Sequence, residues 1–256
     1  MAGVSALVIA NLSKSFEEKR AVDDLSLTVP EGSMFGLVGP NGAGKTTTLS
    51  MVTGLLRPDA GTVSVLGHDV WSDPVRAKAL TGVLPDGLRL FDRLSGREVI
   101  RYTGLLRRLD RRVAEERAEE LLEAVGLTGE ANTLVCDYSA GMTKKIGLAC
   151  ALVHAPRLVI LDEPFEAVDP VSGEAIRHIL RDFVASGGTV LLSSHVMELV
   201  ETLCDRLAVV AGGRVRAAGT IDEVRQGDSL QDRFLSLVGA PQPEGETLAW
   251  LHSSRL

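Results

Sequence analysis

The sequence predicts an α/β fold: a largely parallel sheet, a small antiparallel β subdomain beside it, and a helical subdomain inserted between strands. Three observations predict it. Short apolar runs alternate with longer helical patterns along the 256 residues, as in parallel strands joined by crossover helices. The early runs, and the pair joined at Ala211-Gly212-Gly213-Arg214, read as hairpins and supply the antiparallel sheet. Between about 87 and 155 the pattern is almost all helical and dense in Arg and Glu.

Leu7–Ala10 and Leu25–Val29 are the first strands. Met34–Val38 is a continuous apolar run, as expected of a strand covered on both faces. It leads into Gly39-Pro40-Asn41-Gly42-Ala43-Gly44-Lys45-Thr46, which matches G-x-x-x-x-G-K-[ST] at every fixed position. A helix over Lys45–Val52, carrying Thr47, follows and closes at Gly54. Strand, loop and helix in that order are the setting of a P-loop NTPase core. The glycines let successive amides point inward as an anion nest. Lys45 can then reach the β and γ phosphates, and the Thr46 hydroxyl can hold Mg²⁺.

Thr62–Leu66 and Gly82–Leu84 are further strands, with a short helix over Pro74–Ala79 between them. Ser95-Gly96-Arg97-Glu98 fits a capping box and starts a helix over Gly96–Leu109. Val113–Val125 is the next helix. The charge run from Arg107 to Glu120 reads as a solvated face laced with i,i+4 pairs. Tyr138-Ser139-Ala140-Gly141-Met142 has the small, polar character of a helix N-terminus ahead of Met142–His154. Ser139 there either caps the helix alone or, with the free amides, binds a phosphate.

Leu158–Leu161 is an apolar strand ending in Asp162-Glu163. Ligands of parallel sheets bind at the carboxyl ends of the strands, so Asp162 is placed to hold Mg²⁺ and Glu163 to polarise an attacking water. Asp169 caps a helix over Pro170–Ala185, with Pro170 in its first turn. Thr189–Leu192 is a second apolar strand. It brings His195 to the same edge, able to donate a hydrogen bond to a phosphate oxygen. A helix over Val196–Leu203, strands at Arg206–Val210 and Val215–Ala217, and a helix over Leu230–Leu237 follow. The Pro-rich stretch after Gly239 reads as a linker, which gives one domain over 1–239 and a tail over 240–256.

With 45% hydrophobic and 24% charged residues the composition is that of a globular protein. A net charge of -7 argues against a general grip on nucleic acid. No apolar run approaches the roughly 18 residues of a membrane span, and no signal-peptide pattern opens the chain. Cys136, Cys150 and Cys204 lack metal-ligand spacing and read as buried free thiols in a reducing cytosol. His68, His154, His178 and His252 read as structural or surface residues. Phe16, upstream of the phosphate loop, either stacks on a base or fills the core.

Taken in order, these motifs resemble the ATP-binding subunit of an ABC transporter of the bacterial exporter type, along nearly the whole chain to about Gly239. The matching positions are Phe16, Gly39–Thr47, Asp86, Ser139–Met142, Leu158–Glu163, Asp169 and His195. The resemblance implies ATP hydrolysis with Mg²⁺, held by Thr46, Asp162 and Asp86. It implies that two such subunits, alike or different, pair head to tail. Each ATP then lies between the phosphate loop of one and Ser139, Ala140 and Gly141 of the other. By the same likeness Phe16 stacks on adenine, Asp169 lies near the nucleotide, Glu163 and Asp86 serve the chemical step, and His195 senses the γ-phosphate. An integral membrane permease subunit is the implied partner, meeting the chain near Asp86 to Arg97 at the cytoplasmic face of the plasma membrane.

Some positions depart from the family pattern. Asp86 stands where glutamine is usual, one carbon shorter and negatively charged. Ala140 stands for a glycine and Met142 for a glutamine, and Phe165-Glu166-Ala167-Val168-Asp169 shares only its aspartate with the usual Ser-Ala-Leu-Asp. Two other functions compete: a soluble relative acting on ribosomes or DNA, and a nucleotide-binding regulator without turnover. The single cassette, the acidity and the lack of heptads count against the former.

Overall fold

The computed structural model describes residues 5–239. The expected linker and tail, with Trp250 and His252, lie outside them. Two sheets organise the chain. The smaller, antiparallel sheet joins β1 (Ser5–Phe16), β2 (Lys19–Pro30), β4 (Ala60–Val65) and β5 (His68–Asp69) in the order β2-β1-β4-β5. The larger sheet has the order β10-β9-β3-β8-β7-β6, from β3 (Met34–Val38), β6 (Thr81–Leu84), β7 (Leu158–Leu161), β8 (Thr189–Ser194), β9 (Arg206–Ala211) and β10 (Arg214–Thr220). All its neighbours are parallel except the β9–β10 hairpin.

Alternation along the central strands fills two cores. Phe35, Leu37, Leu158, Ile160 and Leu191 face the antiparallel sheet. Met34, Val38, Val159, Leu161, Val190 and Leu192 face the other way, toward α6 (Pro170–Ala185) and α7 (Met197–Leu203). Because both faces are covered, these strands read as unbroken apolar runs. The helical block, α3 (Gly96–Leu106), α4 (Arg111–Ala124) and α5 (Ala140–Leu152), has its own core of Val99, Ile100, Leu122, Val125 and Ile146. Parallel register aligns the strand ends. Val38 lies beside Ser194, Leu161 beside Leu192, and Leu84 beside Leu161. The residues that follow therefore emerge at one edge.

The structure corrects several sequence expectations. The hairpin around Gly212 and Gly213 belongs to the large sheet, because β9 pairs in parallel with β3. Both glycines have positive φ, 59° and 75°, as a tight two-residue turn requires. Its tip reaches the phosphate loop, where the Gly213 amide donates to the Ala43 carbonyl at 3.0 Å. The helix expected to reach Leu109 stops at Leu106, since Arg108 turns left-handed with φ 64°. Asp110 then caps the next helix, taking the Arg112 amide, so α4 starts at Arg111 instead of Val113. Ser139 accepts the Met142 amide, so α5 starts at Ala140 instead of Met142. β5, α8 (Ile221–Arg225) and a short 3-10 turn at Val135–Asp137 were not expected. Cys136 is exposed, contrary to expectation, while burial pushes the Cys150 thiol up to about 11 and that of Cys204 up to about 12.

Candidate active site

The loop after β3 is shaped by close approaches that leave no room for a side chain. A Cβ on Gly39 would fall 2.3 Å from the Val210 carbonyl oxygen, and one on Gly44 2.4 Å from that of Ala21. Gly42 and Gly44 take φ of 78° and 103°, where glycine carries no steric cost. At Gly42 a Cβ would meet nothing, so the loop there opens outward. Helix α1 (Lys45–Val52) begins directly behind it with no side-chain cap, which leaves its first amides available to an anion. The Lys45 ammonium, 6% exposed, donates to the Gly39 carbonyl at 2.7 Å.

This loop forms one wall of a cleft of about 460 Å³. Pro40 to Thr47 line it together with Phe16, Asp86, Glu163 and His195. At its far wall the chain ends two neighbouring strands. Glu163 Oε1 lies 3.6 Å from Lys45 Nζ, and His195 Nδ1 donates to Glu163 Oε2 at 3.0 Å. A carboxylate thus sits between an ammonium and an imidazole facing the phosphate loop. Asp162, 5% exposed, stands behind it. Ser193 Oγ donates to Asp162 Oδ1 at 2.5 Å and accepts the Glu163 amide at 2.9 Å. Phe16 is half-exposed at the mouth, with the Lys14 ammonium 5.8 Å from its ring centre. Asp86 is exposed, and its Oδ1 accepts the Gly87 amide at 2.8 Å.

Gly39 and Asp162 stand just behind the lining, while Ser139, Ala140, Gly141 and Asp169 are not part of the cleft of their own chain. Ser139 and Ala140 are exposed at the start of α5. Gly141 packs on Asp169, whose Oδ2 would be 2.8 Å from a Cβ there. Asp169 caps α6, accepting the Val171 and Ser172 amides at 3.0 and 2.9 Å. Its bond with the Ser172 side chain, first among the causes, and those amides hold its carboxyl below the usual range. Sequence reasoning missed Lys19, Ala21 and Glu166, which also line the cleft, and Ser193 behind it. Lys19 was open to notice, because it stands opposite Phe16 in the β1–β2 register.

The cleft fits a nucleoside triphosphate. Bare glycine backbone, an uncapped helix start and a buried ammonium converge on one wall, the requirements of a polyphosphate. Among the described residues no three His, Cys, Asp or Glu converge as a metal cage. Magnesium needs none, since it is held by one or two protein oxygens plus phosphates, and Thr46 and Asp162 are such oxygen donors.

Parallel sheet, glycine loop and carboxylate at the adjoining strand end together define a phosphate-loop nucleotide-hydrolysing cassette. A family model described as ABC transporter matches residues 22–166. The chain is 38% identical over 210 residues to the linearmycin resistance ATP-binding protein LnrL of Bacillus subtilis, covering 82% of this chain and 68% of that one. It is 40% identical over 232 residues to the daunorubicin/doxorubicin resistance ATP-binding protein DrrA of Streptomyces peucetius, covering 91% and 70%. A solved ATP-binding subunit of an ABC transporter superposes with TM-score 0.85 at 30% identity, covering 91% of this chain and 99% of that one. The chain belongs to the ABC transporter family, as an ATP-binding subunit that hydrolyses ATP for transport.

Proposed function

We propose that this chain powers export through a separate membrane permease, closing on Mg·ATP with a second ATP-binding subunit and opening after hydrolysis. The observation that carries the reading is the Glu163 carboxylate set between Lys45 and His195 across from the phosphate loop. The loop amides and Lys45 hold the β and γ phosphates. Glu163 takes a proton from water as its oxygen bonds to Pγ, and the Pγ–O bond to ADP breaks. His195 donates to a γ-phosphate oxygen. Thr46, Asp162 and Asp86 would hold Mg²⁺, which when bound would supply neutralisation of the phosphate charge.

Pairing is supported by the position of Ser139, Ala140 and Gly141 outside their own cleft, at a helix start that a second copy's nucleotide can meet. Export is supported by relatives named for drug resistance and for Nod factor export. No helix among the described residues is long and apolar enough to cross a membrane, which accords with a separate pore. The permease seats beyond Asp86, where Phe91 and Tyr102 meet edge-to-face at 5.5 Å and stay exposed beside Leu105 and Leu106. We place the working subunit at the cytoplasmic face of the plasma membrane.

Glu163→Gln tests the reading. ATP binding should persist while hydrolysis slows by about a hundredfold or more, the loss expected for a general base. Turnover at the parent rate would show that Glu163 is not the group acting on water.

A further inference from the structure

The backbone of Glu163, on the cleft wall, is held from two different parts of the fold. Its φ of 46° lies in the left-handed region that favours glycine, so the chain must be constrained to stay there. From the sheet, Ser193 Oγ on β8 accepts the Glu163 amide at 2.9 Å. From the helical block, the Lys144 ammonium on α5 donates to the Glu163 carbonyl oxygen at 3.0 Å. Lys144 is only partly exposed and, among the described residues, makes no ion pair with a carboxylate. Its charge is committed to one peptide oxygen.

We propose that Lys144 is a positioning residue for Glu163, a role that rests on the reading of Glu163 as the group acting on water. The direction of the side chain follows from the orientation of its two flanking peptides. The same carbonyl also accepts the Glu166 amide at 3.2 Å, from within its own turn, so Lys144 is the tie that reaches it from the helical block; losing that tie loosens the peptide and lets the carboxylate drift from the attacking water. A misplacement of about 1 Å at a reacting group can cost on the order of a hundredfold in rate.

The test is steady-state ATPase of the full chain with Mg·ATP, comparing Lys144→Met, Lys144→Arg and the parent. The Met variant should lose about tenfold to a hundredfold in kcat. Its KM for ATP should stay within about twofold, since the phosphate loop is untouched. The Arg variant, which keeps a cationic donor, should recover most of kcat. In a Glu163→Gln background the Met substitution should add almost nothing, because the carboxylate it positions is gone. Parent kcat in Lys144→Met, or an equal further loss on top of Glu163→Gln, overturns the proposal and leaves the reading of Glu163 intact. Should the Met variant melt early, Lys144→Gln, too short to reach the carbonyl, replaces it with the same expectations. Parent turnover in Glu163→Gln itself overturns the underlying reading instead.

Discussion

Lys45 spends its charge on the Gly39 and Pro40 carbonyls, at 2.7 and 3.4 Å, and on Glu163. These are weak partners for a buried ammonium compared with a triphosphate. Lys45→Ala should weaken ATP binding at least about tenfold, measured by titration with a fluorescent analogue. Unchanged affinity would contradict its phosphate role. His154 gives a pH prediction of a different kind. Its Nε2 donates to the Thr81 carbonyl at 3.1 Å, while Nδ1 is buried without a partner among the described residues. Burial, then the nearby Arg107 charge, lowers its pKa from 6.5 to about 4. Between those values the unfolded chain binds the proton and the folded one does not, so stability rises with pH across that window. The parent should lose on the order of 1–2 kcal/mol on acidification through it, after allowance for partial exposure. His154→Asn, which keeps a donor for Thr81, should flatten that slope in chemical denaturation at pH 4.5 and 7.

At the scale of elements, the phosphate loop is the part most legible in the sequence. Its glycines, lysine and flanking strand and helix are adjacent in the chain, so local pattern reports them directly. Gly44→Ala should be severe there. The added Cβ meets the Ala21 carbonyl, and the φ of 103° suits no L-residue. Thermal melts should show a loss of about 1–3 kcal/mol and no stabilisation by Mg·ATP. A variant that melts and binds like the parent would show that the loop relaxes freely. Helix starts were less legible. Ser95 and Glu98 announced a capping box that the structure contains, whereas the equivalent pair Thr220 and Glu223 heads a five-residue helix too short to carry a periodic signal. Asp110 and Ser139 moved two helix starts because the cap, and not the first apolar residue, sets the boundary. Glu166, which lines the cleft, and Ser193 and Lys144, which bond the Glu163 backbone from behind it, come together only through tertiary packing, and no spacing rule could have gathered them.

At the scale of the whole molecule, long-range pairing decided what local reading could not. The Gly212–Gly213 turn announced a hairpin, but its sheet depended on β9 meeting β3 from far along the chain. On the proposed reading the candidate site is likewise divided between two chains. One chain assembles the phosphate loop, Glu163 and His195, while Ser139, Ala140 and Gly141 are not among the residues that line that cleft. This division makes association testable apart from binding. Ser139→Arg should keep the fold, at a cost of about 1 kcal/mol for the lost cap. It should bind ATP as the parent does, and prevent the ATP-dependent dimer of Glu163→Gln from forming in light scattering. A dimer that still forms would remove Ser139 from the interface.

The contact of Gly213 with Ala43 has a practical bearing. A tight two-glycine hairpin turn is where an epitope or dye would ordinarily be grafted. Here that tip is a buttress for the nucleotide cradle. A probe inserted there should slacken the grip on ATP from outside the cleft, and a label meant to report on the cycle without disturbing it belongs elsewhere.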